Sequence, residues 1–267
     1  MLAKGEYAAA LAMFDHENSA NDMLFKAYGV ARWHGTEDLT GKSILVVHQW
    51  GLGDCVMAAR YLNLLNARWV SVAVPDALGR IVARDGLTVF GSVIPVDSFD
   101  YYVPIMRLIG YFNHIPATPY LSAAPSLPAT SSRRRLGIAW QGNPKHLRDA
   151  TRSIALNTFL ELLPHRNVQL YSLQNRDHEA ARAAGIIAPV YQDFAEVAAV
   201  AAAMDEIVVV DTAVTNLSGA LALRASVLLD FNHDWRWYRG DEWYPTLTRC
   251  VQDRPGDWRS AFAKLTG

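Results

Sequence analysis

Apolar residues in this chain recur in short runs, and between the runs they fall at helical spacing. Residues 44–48 form one such run, Gly51 and Gly53 break it, and 55–65 recover a helical period through Val56, Ala59, Tyr61 and Leu64. Farther on, the pattern predicts a strand at 69–74, a helix at 77–84, strands at 87–90 and 101–105, and a helix at 106–112. A second series begins after residue 133: strand 136–140, helix 156–163, strand 168–172, helices 178–184 and 194–204, strand 207–210, helix 212–223 and strand 226–229. Strands alternating with helices imply parallel sheets covered on both faces, and two such series imply two α/β units with a ligand cleft between them.

Residues 3–15 are rich in helix formers and place Tyr7, Leu11 and Phe14 on one face, which predicts a short amphipathic helix. From 16 to 42 the pattern weakens into a connector. Pro116, Pro119, Pro125 and Pro128, followed by Arg133, Arg134 and Arg135, mark the expected domain boundary. The expected organisation is a helical segment and connector at 1–42 and two α/β domains at 43–132 and 133–267.

Composition narrows the function. With 51% hydrophobic and 19% charged residues the chain is globular, and a formal charge of −1 argues against a broad nucleic-acid footprint. Cys55 and Cys250 form no metal-ligand or disulfide spacing. The most apolar window, 197–210, is interrupted by Asp205 and Glu206, and the N-terminus lacks a signal-peptide pattern, so no membrane span and a cytoplasmic location are expected.

Four segments carry candidate chemistry. At Gly51-Leu52-Gly53-Asp54 the glycines permit a tight turn and a close backbone approach, but a third glycine is missing and Asp54 would repel a pyrophosphate, which disfavours a nicotinamide cofactor. Asp54 is either an N-cap or a general base. The loop from Gln141 through Gly142, Asn143 and Lys145 to Arg152 leaves a strand with three permanent cations, suited to a diphosphate or simply solvated. Asp211-Thr212-Ala213 joins an apolar strand to a helix whose first N–H groups are open to an anion, with capping as the alternative role for Thr212. Residues 232–245 gather Trp235, Trp237, Tyr238, Trp243 and Tyr244, which either stack a ligand or pack the C-terminal segment. No Asp-x-Asp pair follows a strand to clamp a diphosphate through a metal.

These segments match a known pattern. Gly41-Lys42-Ser43-Ile44-Leu45, Gln49 to Asp54, Ala59-Arg60-Tyr61, Gly137 to Asn143, Arg152-Ser153-Ile154, Ser172-Leu173-Gln174, Asp211-Thr212-Ala213, Leu217 to Leu221 and Asp234-Trp235-Arg236-Trp237 resemble a bacterial and phage glycosyltransferase module associated with tetratricopeptide repeats. That module is related to the family 9 glycosyltransferases, the heptosyltransferase group. The resemblance implies an α/β fold of GT-B type, two Rossmann-like domains facing across a cleft. It also implies a nucleotide sugar held by the second domain, no required metal or other cofactor, and Asp54 as the base. Departures are Asn216 where the family has histidine, His48 where glutamate is common, and Arg107-Leu108-Ile109 where Ser-Leu-Pro is usual.

The resulting expectation is an inverting transfer of a sugar from a nucleoside diphosphate sugar to an acceptor hydroxyl. Donor contacts are assigned to Trp140, Gly142, Asn143, Lys145, Arg152, Gln174, Asp211, Thr212, Ala213 and Asn216. The acceptor side is Gly51, Gly53 and Asp54, and the acceptor is a protein, a saccharide, a small molecule or modified nucleic acid. The competing readings are a degenerate, non-catalytic nucleotide-sugar-binding module and a nucleotide-sugar epimerase.

Overall fold

Among the described residues, ten strands build two parallel five-stranded sheets in this computed structural model, which describes residues 1–13, 20–128, 133–164, 167–239 and 242–265. The first sheet contains β1 (Ala31–Arg32), β2 (Ser43–Val47), β3 (Trp69–Ala73), β4 (Leu87–Phe90) and β5 (Tyr101–Pro104) in the order β1-β5-β2-β3-β4. The second contains β6 (Arg134–Ala139), β7 (Val168–Ser172), β8 (Glu206–Val210), β9 (Ala225–Leu229) and β10 (Leu247–Val251) in the order β10-β9-β8-β6-β7. Strands β2, β8 and β9 are buried along their whole length, which is why they read as unbroken apolar runs.

Helices α1 (Tyr7–Met13), α2 (Ala20–Ala27), α3 (Leu52–Ala58), α4 (Asp76–Val82) and α5 (Arg107–Phe112) accompany the first sheet. The second sheet carries α6 (Asp149–Arg152), α7 (Leu156–Leu162), α8 (His178–Ala183), α9 (Phe194–Ala201), α10 (Ala213–Ala220) and α11 (Trp258–Phe262). Its core gathers Leu136, Ile138 and Trp140 with Phe159, Val208, Val210, Leu228 and Phe262.

The chain divides into two compact units, Met1–Ala117 and Thr118–Gly267. The division falls earlier than the expected boundary at 132. Its cause is hydrogen bonding: Tyr120 and Leu121 donate their N–H groups to the Ala220 carbonyl at 3.1 and 3.2 Å, and Ser126 N–H reaches Ala199 O at 2.9 Å. Most of the proline-rich run is thus tied to the second sheet's helices. On the other side of the division, buried Arg60 donates to Pro116 O at 3.2 Å and Tyr61 to His114 O at 2.8 Å.

Residues 1–42 belong to the first unit. The expected connector contains α2 and β1, with β1 paired to β5 through Ala31 and Tyr101, and Phe25 stacked on Tyr102 at 4.2 Å. Tyr102 also donates its hydroxyl to Asp22. Helix α1 lies so close to α5 that a Cβ on Gly110 would stand 3.0 Å from Ala8 Cα. Phe14 and Asp15 of the expected first helix, and residues 16–19, lie outside the described residues, as do 129–132 of the expected boundary. Each unit buries one cysteine, Cys55 and Cys250, whose thiols burial pushes up to about 12 and about 11. No helix among the described residues is long and apolar enough to cross a membrane.

Candidate functional site

In the second sheet the chain steps from β6 to β7 on one side and then crosses to β8 on the other. In such a sheet the connections leave the carboxyl ends of the two central strands in opposite directions, and the gap left there is the usual ligand site. Here those ends are Trp140–Gly142 after β6 and Asp211–Thr212 after β8, brought level by the pairing of Ala139 with Val209.

Several predicted residues meet at this rim. Arg152 donates to the Asp211 carbonyl at 3.0 Å and lies 3.4 Å from Asp149 Oδ1. Ser153 Oγ bridges Asp149 and the Gly142 N–H, both at 2.9 Å. The absence of a side chain at Gly142 makes room for this network, because a Cβ there would stand 2.5 Å from an Arg152 guanidinium nitrogen and 2.7 Å from Asp149 Oδ1. Gln174 Oε1 accepts the N–H groups of Trp140 and Gln141 at 3.0 and 3.2 Å, which fixes the turn and leaves its buried Nε2 without a partner.

Thr212 caps α10 with its backbone. Its N–H donates to Thr215 Oγ1 at 3.2 Å, and Thr215 Oγ1 in turn donates to Val210 O at 2.8 Å. The Thr212 hydroxyl is 9% exposed at the residue level and has no hydrogen-bond partner. A buried polar atom left unsatisfied calls for a ligand or a water. The first N–H groups of α10, from Ala213 and Val214, have no intrahelical acceptor by helix geometry. An unsatisfied hydroxyl, open helix amides and a guanidinium together suit an oxyanion.

Beside them lies Asp211, whose carboxyl burial pushes up to about 6, against the lowering charges of Arg236 and Arg152; nearby Asp234 adds to the rise. Near neutrality this carboxyl exchanges its proton, so the charge it presents to the rim depends on pH.

Other candidates sit differently. The Trp140 ring is 1% exposed and belongs to the core, where it supports the turn. Asn143 accepts the Lys145 N–H at 3.0 Å in a side-chain-closed turn, and Lys145 itself is exposed. Asn216 points inward as well: its amide donates to Thr212 O at 3.2 Å and accepts from the Tyr244 hydroxyl at 3.0 Å. The aromatic loop chiefly packs, since Trp237, Trp243 and Tyr244 are each 1% exposed. Ser153, Thr215, Tyr244 and Arg176, which donates to Gly142 O at 2.5 Å, were not singled out as site residues from the sequence. Two of these carried a signal, Ser153 through its place beside Arg152 in the resembling motif and Tyr244 through its place in the aromatic segment 232–245.

In the first unit the carboxyl end of β2 leads to a second cluster. Gly51 is the N-cap of α3, and Asp54, in the helix's first turn, accepts the Gly51 N–H at 3.0 Å. The capping role expected of Asp54 is therefore real, but it is exercised from inside the helix. Gly53 lies in that same first turn. Trp50, at φ 65°, holds a left-handed backbone that costs a bulky residue roughly 1–2 kcal/mol, the kind of local strain found at functional turns. Half-buried His48 has its pKa held low by burial, opposed by the Asp54 charge, and its Nε2 has no partner.

Among the described residues no three His, Cys, Asp or Glu side chains are grouped to hold a metal ion. Neither a protein-family model nor a curated protein matches the chain in sequence. Solved structures do match in fold. A family 9 glycosyltransferase from Veillonella parvula superposes with a TM-score of 0.59 at 9% identity, covering 82% of this chain and 88% of that one. The E. coli ADP-heptose LPS heptosyltransferase II gives 0.57 at 14%, covering 78% and 89%. E. coli heptosyltransferase WaaC, solved with ADP, gives 0.52 at 11%, covering 84% and 96%.

Proposed function

We propose that this chain, whose fold is the GT-B fold of the family 9 heptosyltransferases, transfers a sugar from a nucleoside diphosphate sugar to an acceptor hydroxyl, without a metal and with inversion at the anomeric carbon. The carrying observation is the rim of the second sheet, where Arg152 is bonded to the Asp211 carbonyl beside the unsatisfied Thr212 hydroxyl and the start of α10. There the donor's diphosphate accepts N–H groups and the Arg152 charge. The developing negative charge on the leaving group is stabilised by donors already in place, so little reorganisation is needed during bond breaking. Asp54 is the carboxylate that draws the proton from the acceptor hydroxyl, its orientation fixed by the Gly51 N–H.

Isothermal titration with ADP, UDP and GDP, followed by transfer assays with the matching sugars, tests this reading; ADP is the first probe because a neighbour in fold was solved with it. Arg152→Ala is expected to weaken diphosphate binding about tenfold to a hundredfold, the worth of a charged hydrogen bond. Asp54→Asn keeps an acceptor for the Gly51 N–H and is expected to abolish turnover with binding intact. Binding by the wild type with no turnover on any donor would instead support the non-catalytic module. Conversion of the donor with no acceptor present and no nucleotide released would identify an epimerase.

A further inference from the structure

We infer that Tyr244 is a positioning residue for the diphosphate rim, acting through Asn216 on the peptide group that opens α10. The inference rests on the function proposed above. Tyr244 is buried, and its hydroxyl donates to Asn216 Oδ1 at 3.0 Å. That contact fixes which end of the Asn216 amide faces the ring, so Nδ2 is the end that donates to Thr212 O, at 3.2 Å.

The Thr212 carbonyl shares one rigid plane with the Ala213 N–H, and in a trans peptide the two point in opposite directions. Drawing the carbonyl back along the helix therefore aims the Ala213 N–H forward, out of the helix start and toward the rim. The same carbonyl also accepts the Thr215 N–H at 3.1 Å and the Asn216 N–H at 3.4 Å. With the Asn216 side chain added, the orientation of that peptide is fixed before any ligand arrives. Pre-orientation matters because an amide that must rotate on binding gives back part of its interaction energy.

The surroundings are built for this contact. Gly219 lets the Tyr244 ring lie against α10, since a Cβ there would stand 2.2 Å from the ring. Tyr120 places its hydroxyl 3.4 Å from that of Tyr244, and its N–H holds the Ala220 carbonyl at the far end of the same helix. Asn216 thus has a defined structural partner, and replacing the family's histidine with it does not by itself mark a lost function.

The test uses the full chain and inorganic pyrophosphate. Tyr244→Phe keeps the ring and removes the hydroxyl; Phe262→Leu loosens the same unit's core away from α10 and serves as a control of comparable destabilisation. At a temperature well below both melting points, Tyr244→Phe is expected to raise the pyrophosphate Kd by about five- to tenfold, the worth of roughly one hydrogen bond. Phe262→Leu is expected to leave it unchanged, and an amide NMR titration should move the Ala213 resonance in the wild type and move it less in Tyr244→Phe. Equal binding by wild type and Tyr244→Phe overturns the inference alone, as does equal weakening by Phe262→Leu. A wild type that binds neither pyrophosphate nor any nucleoside diphosphate overturns the anion rim itself and this inference with it.

Discussion

Asp211 carries two tasks that pull its proton in opposite directions. Its burial favours the neutral acid, and the Arg236 and Arg152 charges favour the carboxylate. The folded-state value of about 6 lies above the ordinary aspartate value of 3.8. The folded protein therefore keeps this proton where the unfolded chain has released it, and the stabilisation is full below about pH 4 and lost as pH rises through about 6. Against Asp211→Asn, which cannot titrate, the wild type is expected to lose on the order of 2–3 kcal/mol of relative stability between pH 4 and 7. Urea unfolding of both proteins across that range measures it; parallel curves would place the Asp211 carboxyl in a polar setting. Gly142 gives a second prediction. An added methyl there meets the side-chain ends of Arg152 and Asp149 and not the backbone, so Gly142→Ala is expected to lower the melting temperature less than a clash with a packed ring would, while weakening diphosphate binding. Calorimetry with titration separates the two effects. At this scale the sequence showed that charge gathers at the strand ends, where Arg152 meets Asp211. It did not show that Trp140 and Asn216 turn inward, because residue type alone does not say which way a side chain turns.

Among the elements, α10 shows how a short helix is made to hold a fixed start. Thr212 and Thr215 close its first turn, and Tyr244 lies along its buried flank over Gly219. Here the obstacle to a larger side chain is a rigid ring in a packed core, so Gly219→Ala is expected to destabilise the unit by about 1–3 kcal/mol. Chemical denaturation checks this, and the contrast with Gly142→Ala is the informative comparison. Strands were the easiest elements to read, since β2 and β8, buried throughout, and β4 and β7, only partly buried, fall within a residue of their apolar runs. Four of the missed elements share a physical cause. Strand β10 lies at a sheet edge and carries Thr248 and Arg249, β1 is two residues long, and α6 and α11 span only four and five residues, so none offers a full period of burial.

At the level of the molecule, alternating periodicity implied two parallel sheets with helices about them, and that was enough to point to the architecture. The position of the break was not legible. Prolines mark where a chain cannot continue a helix, but which unit then claims the segment depends on partners distant in sequence, such as the Ala220 carbonyl. Strand order likewise depends on crossovers that local pattern does not encode, although it is the order β10-β9-β8-β6-β7 that places the candidate rim.

The distribution of sulfur has a practical use. One protonated, sequestered thiol in each compact unit amounts to a pair of built-in gauges, because an alkylating reagent attacks the thiolate and must wait for the surrounding structure to open. In a Cys55→Ser background, the rate of Cys250 labelling counts openings of the second unit alone. Saturating pyrophosphate is expected to slow that count by the factor its affinity dictates, while a rate indifferent to pyrophosphate would mean that the anion settles somewhere other than on the closed form of that unit.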